Sequence, residues 1–484
     1  MFQRIASPQN HIKMRTTLLF LFVFTLSQLL YSQDAPSSSS TLSLEKAQEM
    51  ALSYNKSVIM SKILHEQTGY DLQSYRSHRL PRIDLFLTDF YSNARSNFQI
   101  EGGHLPIYSF NEASATYIPN VKVNYDGSYT LMQYADFPTQ NLKLKLNNIF
   151  IGGIQITQPI YTGGKITSAI NMAELGQQIA SVNIRLTEDE VIVQVDEAYM
   201  QAVRAKELSI VADSYYTMLK ELERTVESAV RHGLRLRNDL MKVQVKLNEA
   251  ELGKQKADNA YLLCRMNLCH LTGMPLTDAS KIEIDTFTAN RERDLPSYES
   301  DVTRRPEYTI LSKKADLARE EISLTRSEYL PNVALFGGYT YANGGELAGK
   351  KLLDNGSFAV GLVVKVPLFN FGEGTNKLRS AQAKAQLAAM ELSEKSEMME
   401  LEIALCRNAV EECETEVSIA LKSYDQASEN LRLSKSAYDN GVELLSDYFE
   451  AQALWREAAS TVVDARCKLY LAYTKYLKAT GRLR

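Results

Sequence analysis

From Met399 to Tyr438 the small and apolar side chains step by four and three in strict alternation. They are Met399, Ile403, Cys406, Val410, Cys413, Val417, Ala420, Tyr424, Ala427, Leu431, Ser434 and Tyr438, and only Ser434 is out of character. A mean spacing of about 3.5 residues keeps one stripe facing a partner helix and is the signature of a left-handed coiled coil. Counted from Leu378, the helix runs for roughly sixty residues, or roughly 90 Å at 1.5 Å per residue. Asn440-Gly441 ends it. No compact globular core buries a helix of that length. The chain is either a fibrous coiled coil or part of an elongated helical assembly.

The same organisation occurs twice. Pro159-Ile160 matches Pro367-Leu368, Gly163-Gly164 matches Phe371-Gly372, Gly233 matches Gly441, and Thr272-Gly273 matches Thr480-Gly481. Leu236, Asp239, Gln244 and Glu249 match Leu444, Asp447, Gln452 and Glu457. These pairs share an offset of ~208 residues, a sign of internal duplication. Leu80-Pro81 with Leu330-Pro331, and Phe86 with Phe336, carry a larger offset, so the first half holds a longer loop within Arg95–Asn147. That loop is rich in Tyr and Asn with scattered Gly and Pro, and reads as exposed. The first repeat spans 44–273 and the second 302–481, joined by a linker at 274–301.

Each repeat reads helix, strand, strand, long helix, turn, shorter helix. The β-hairpins are placed at 81–159 and 331–367, and their strands alternate with period two. Ile83, Leu85, Leu87 and Tyr91 share a face, as do Val333, Leu335, Tyr339 and Tyr341. Phe150, Ile154 and Ile156 share another, repeated by Phe358, Val360, Leu362, Val364 and Val366. Each apolar face spans about 9–11 residues, enough for a tilted membrane strand. Four strands cannot close a barrel, and lipid forbids open edges, so the strands must come from several chains. Three chains give twelve.

Helix lengths complete the argument. Ile166–Arg231 is nearly twice as long as its return partner Asn238–Leu271, and Leu44–Ser77 supplies the missing half. In the second repeat Val302–Ser327 and Leu444–Thr480 together cover Gly374–Tyr438. Two short helices stacked end to end against one long one give a helical cylinder roughly 100 Å long at 1.5 Å per residue, joined to the strands. The expected fold class is mostly α with membrane β: a trimeric twelve-strand β-barrel continuous with a coiled-coil α-barrel.

The N-terminus reads as an export signal over 1–33, with Lys13 and Arg15 before the apolar block Leu18–Leu30. A Ser-rich segment at 34–43 reads as disordered. No run of about 18 uninterrupted apolar residues marks a helical membrane span. The five cysteines, Cys264, Cys269, Cys406, Cys413 and Cys467, sit in helices, and Cys406 and Cys413 are seam positions, so all five read as structural thiols.

The chain resembles the TolC-type outer-membrane efflux channels, the outer-membrane factor family. The resemblance covers about Leu42–Gly481. It rests on the duplication, the Leu44-Glu45-x-Ala47-x5-Ala51 start, Tyr329-Leu330-Pro331 ahead of a strand, and the paired turns His232-Gly233-Leu234 and Asn440-Gly441-Val442. It implies a homotrimer in the outer membrane of a Gram-negative bacterium, in contact with outer-membrane lipid and extending into the periplasm. It also implies partners: a periplasmic adaptor (membrane fusion) protein and an inner-membrane pump of RND or ABC type. Docking residues at the tip would be Gly233, Leu234, Gly441, Val442 and Leu444. The resemblance puts a carboxylate ring on Asp447 and Glu450 and a gating tyrosine on Tyr438. In the family an arginine two residues past the second-hairpin Gly bonds a carboxylate of the first hairpin. Here that position is Glu443, while the carboxylate is kept as Asp239. Arg231, Arg235 and Arg237 are the candidate replacement cations.

Enzymatic chemistry finds no support. None of the six histidines is spaced for a metal with a second His or Cys, so neither metal nor cofactor is expected. Gly163-Gly164-Lys165 is followed by Ile166 where a phosphate loop needs Ser or Thr. A net charge of -4 and only scattered arginines exclude a nucleic-acid groove. The expected function is a passive exit duct of a tripartite efflux system. The alternatives are the outer-membrane channel of a type I protein secretion system and, more remotely, a structural coiled-coil envelope protein.

Overall fold

The computed structural model describes residues 41–285 and 301–483. The signal segment 1–33, most of 34–43 and the greater part of the linker 274–301 lie outside the described residues. In chain order the elements are β1 (Thr41–Leu42), α1 (Leu44–Tyr54), α2 (Lys56–Ser77), β2 (Arg82–Tyr91) and β3 (Arg95–Ile100). Next come β4 (Gly103–Pro106), β5 (Tyr108–Asn111), β6 (Thr116–Pro119), β7 (Val121–Val123), β8 (Tyr129–Leu131), β9 (Tyr134–Phe137) and β10 (Gln140–Tyr161). The long helix α3 (Lys165–Arg231) and α4 (Arg237–Thr272) follow, then β11 (Glu283–Ile284). The second repeat holds α5 (Pro306–Ser327), β12 (Asn332–Leu347), β13 (Lys350–Lys365), the long helix α6 (Glu373–Asp439) and α7 (Leu445–Ala479).

Two expectations need correction. The helix expected over Leu44–Ser77 is broken at Asn55, and the one expected over Val302–Ser327 starts as a 3-10 turn and turns α-helical only at Pro306. The two breaks are equivalent. Asn55 (φ -65, ψ 127) and Arg305 (φ -71, ψ 135) are both extended, and a helix of 22 residues follows each. The residue before Pro306 is driven out of the helical region by the proline ring, and Asn55 takes the same conformation without one. The second correction concerns Arg95–Asn147. It is largely strand, not open loop: β3 pairs with β10 from Arg95↔Lys145 to Ile100↔Gln140, and a ribbon beyond it forks into β5–β6 and β7–β8.

The chain divides into two compact units. One comprises 56–189, 301–405 and 477–483 and holds the sheet. Its strand order is β13-β12-β10-β2, antiparallel throughout. The duplication fixes the register as well as the order. Arg82↔Thr157 in the first hairpin becomes Asn332↔Lys365 in the second, and Leu85↔Ile154 becomes Leu335↔Leu362. One face of this sheet is apolar and open to the surroundings, with Ile83 at 67% and Phe358 at 82% exposure. Salt bridges lace the surrounding helices, α2 to α3 by Arg76–Glu174 (2.7 Å) and α5 to α6 by Lys384–Glu321 (2.8 Å). Arg305 is itself buried and reaches Glu402 of α6 at 2.6 Å and Glu307 at 3.3 Å.

The other unit comprises 41–55, 190–285 and 406–476. It is helical apart from the parallel pair β1–β11. The fully buried Tyr199 of α3 sets its hydroxyl against the carbonyls of Leu42 (2.8 Å) and Asp285 (3.1 Å), holding both strands at the same end of that pair. Asp196, one turn earlier on α3, accepts from Gln48 of α1 (2.5 Å) and Thr474 of α7 (2.9 Å). A buried carboxylate needs such donors, since an unpaired one would cost several kcal/mol. On α6 none of the twelve seam positions is exposed, and Val410, Ala420, Ser434 and Tyr438 are buried. All five cysteines are free thiols.

Candidate functional site

The two helical hairpins of this unit end in the same backbone motif. At the first, the Gly233 N–H donates to Val230 O (3.0 Å) and the Leu234 N–H to Ala229 O (2.8 Å). At the second, Gly441 donates to Tyr438 O (3.0 Å) and Val442 to Ala437 O (2.9 Å). This pair of bonds satisfies the orphan carbonyls of a helix end and needs a residue at positive φ. Gly233 (φ 76) and Gly441 (φ 74) supply it without a Cβ penalty. The motif leaves apolar side chains outside: Leu234, Leu236, Val442 and Leu444 are all exposed, Val442 to 82%.

Just inside the tip lies a core of Leu219, Leu222 and Val226 from α3, Val243 from α4, Tyr438 from α6, and Leu445 and Tyr448 from α7. The rings of Tyr438 and Tyr448 stack, with centroids 5.3 Å apart and planes 12° from parallel. The Arg235 guanidinium caps the stack, 4.8 Å from the Tyr438 ring centre, and Nη2 reaches Tyr438 O at 3.5 Å. Burial pushes both phenols up, with Arg235 opposing the shift at Tyr438, so both stay neutral near pH 7. Arg235 belongs to the first hairpin and Tyr438 to the second, so this stack ties the two together.

Asp239 is bonded by Lys242, one turn on (3.7 Å), and the suggested Asp239–Arg235 ion pair is not made. Arg231 faces Glu227 (3.9 Å) and Arg237 is exposed. Glu443 is half-buried, and its Oε2 is buried with no hydrogen-bond partner among the described residues. Asp447 and Glu450 are both exposed on the first turns of α7, and Asp447 Oδ1 lies 2.9 Å from Ser446 Oγ. A groove of about 650 Å³ beside them is lined by Arg235, Asp239, Lys242, Leu444 and Phe449 among others. A second, of about 690 Å³, is lined by Glu221, Thr225, Ser428, Lys435 and Asp439 among others.

Sequence reasoning missed Tyr448 and the role of Gln452. Comparing the halves position by position would have found both. Tyr438 and Tyr448 stand where the first half has Val230 and Leu240, and Glu443 stands where it has Arg235. The arginine of the tip therefore sits on the opposite hairpin from its place in the resemblance. Gln452 is fully buried beside the Tyr448 phenol, and neither amide atom makes a hydrogen bond of good geometry among the described residues, whereas its counterpart Gln244 donates to Glu223 at 3.1 Å. The position equivalent to Glu223 is Leu431, which removes the acceptor.

Nothing at this site resembles a catalytic constellation. No cluster of three or more His, Cys, Asp or Glu able to hold a metal occurs among the described residues. The model of the outer membrane efflux protein family matches residues 47–274 and 304–482, the two repeats in turn. Outer membrane protein TolC of Vibrio cholerae is 22% identical over 372 residues, covering 75% of this chain and 82% of its own length. Alkaline protease secretion protein AprF of Pseudomonas aeruginosa is 23% identical over 314 residues, 63% of either chain. In fold, the CmeC outer membrane channel of Campylobacter jejuni superposes with a TM-score of 0.68 at 19% identity, over 91% of this chain and 86% of that one. A duplicated helix–hairpin–helix chain with an exposed apolar sheet face, matched over both repeats, belongs to the outer membrane efflux protein family, as a TolC-type factor of the Gram-negative outer membrane.

Proposed function

We propose that three copies of this chain close a twelve-strand barrel and form a passive exit duct, fed by an inner-membrane pump through a periplasmic adaptor. The sheet carries the argument. Its outer strands β2 and β13 are each paired on one side only, and its apolar face is exposed. In lipid every backbone polar group must be paired, so those edges are completed by other copies. Adaptor docking falls to the exposed apolar tip at Leu234, Val442 and Leu444 and to the grooves beside it. Asp447 and Glu450 on three copies would supply a ring of six carboxylates that favours cations. Light scattering in mild detergent, with detergent mass subtracted, should give close to three times the chain mass. A folded monomer would refute the proposal.

Export of a polypeptide is the second reading, because a protease secretion protein is among the relatives. Loss of the gene separates the two. Accumulation of small toxic compounds supports efflux, and loss of a polypeptide from the medium supports secretion.

A further inference from the structure

The duplication that sets the register inside one chain also sets the register between chains. We propose that β13 of one copy pairs antiparallel with β2 of the next so that Val364 lies opposite Leu87, Val363 opposite Thr88, Lys365 opposite Phe86 and Val360 opposite Tyr91. The proposal rests on the closed-barrel reading above and adds the residue-level interface, whose partner is a second copy of this chain.

First, the two hairpins are equivalent strand by strand. β2 maps onto β12 and β10 onto β13, and this mapping turns the β2–β10 ladder into the β12–β13 ladder without a slip: Leu87↔Gly152 becomes Gly337↔Val360, and Tyr91↔Asn148 becomes Tyr341↔Gly356. The two hairpins are thus interchangeable units of wall. Second, the chain contains one contact between successive hairpins, the β10–β12 ladder, with Ile156↔Gly337, Thr157↔Phe336 and Gly152↔Tyr341. Third, in a closed ring of such units the contact from the second hairpin to the next copy's first repeats that one. Carrying each β10 residue to its β13 equivalent, and each β12 residue to its β2 equivalent, yields the pairs above.

The facing of the apolar side chains supports the result. A one-residue slip would turn the apolar face of one strand to the opposite side. In the derived register the exposed Leu87 and Tyr91 of β2 meet the exposed Val364 and Val360 of β13 on one face, with Asp89 opposite Leu362 the single charged interruption between them. In this register Phe86–Tyr91 lie opposite Val360–Lys365, while Arg82–Leu85 fall opposite 366–369, past the end of β13. β3 runs along the same side of β10 as β2 and so faces the upper part of β13. The seam then continues past the apolar band into water.

The test is disulfide formation in a background with the five native cysteines changed to alanine. Leu87→Cys with Val364→Cys, and Thr88→Cys with Val363→Cys, are directly opposite. Neighbouring positions on an antiparallel ladder alternate between wide and narrow pairs, so one of the two is at the narrow spacing. Leu87→Cys with Leu362→Cys is the control shifted by two residues. Leu335→Cys with Leu362→Cys, opposite one another within a chain, reports that the sheet has folded. On mild oxidation, denatured non-reducing gels should show a covalent ladder for at least one in-register pair, at least tenfold stronger than for the shifted pair. A stronger ladder from the shifted pair, or none from any inter-copy pair while the copies remain assembled by light scattering, overturns the register. If the protein is folded but monomeric, the closed-barrel reading itself fails.

Discussion

At the scale of single residues, the tip sets Arg235 against an aromatic ring where the family resemblance implies an ion pair. Arg235 sits over Tyr438, and a cation–π contact contributes about 0.5–2 kcal/mol depending on its exposure. We propose that this contact helps hold the tip of the duct shut; removing about 1 kcal/mol then shifts a closed-to-open population roughly fivefold. Arg235→Ala and Tyr438→Leu should therefore raise resting conductance in planar bilayers by about that factor. Tyr438→Phe and Asp239→Asn should leave it near wild type, since neither removes the aromatic face. An ion-pair latch would instead make Asp239→Asn leak and leave Tyr438→Leu near wild type, with Arg235→Ala leaking in either case. Cys467 offers a separate measurement, because burial pushes its thiol up to about 11. The native fold holds that proton, so the contribution to stability is complete below the unfolded value near 9 and is lost as pH rises through about 11. Cys467 should alkylate far more slowly at pH 8.5 in native protein than in urea. The decline in urea midpoint between pH 9 and 11 should lessen in Cys467→Ala.

At the scale of elements, the second helical hairpin is the less well satisfied of the two. A buried amide with no partner costs about 1–3 kcal/mol, and Gln452, with only the Tyr448 phenol beside it, is nearer that position than Gln244. Gln452→Leu should slow hydrogen exchange in the first turns of α7, equivalent to about 1 kcal/mol, and Gln244→Leu should speed it in α4. Equal effects of the two changes would show that the asymmetry has no energetic weight. The long helices were legible because a 3.5-residue period sustained from Met399 to Tyr438 has no other solution. The breaks at Asn55 and Arg305 were less so. Apolar spacing continues across the first, and only its alignment with Pro306 in the other half marks it. The ribbon at Arg95–Ile100 reads as loop because Asn, Gln and Ser dominate it. Its strand character comes from the pairing with β10, which local composition does not encode. At the tip, the positions were legible from the duplicated glycines, but their partners were not, since Arg235 and Tyr438 are about two hundred residues apart.

At the scale of the whole molecule, the proposed barrel fixes which end faces outward. Strands β2 and β3 run away from the helices and β10 returns, so the forked ribbon beyond them should be displayed outside the cell. Gly127 lies at the β7–β8 turn (φ 82) with open space around it. An epitope tag inserted there should be reached by antibody on intact cells, and detection only after the outer membrane is ruptured would reverse the orientation. The two unpaired sheet edges also bear on how the protein comes into being. An open edge accepts any strand that fits it, and a lone copy exposes two of them together with an apolar face. Closure is an encounter between molecules, so its rate must depend on concentration. At low copy number the monomer waits longest in its most adhesive form, and there escort by chaperones, or destruction by proteases, competes with assembly.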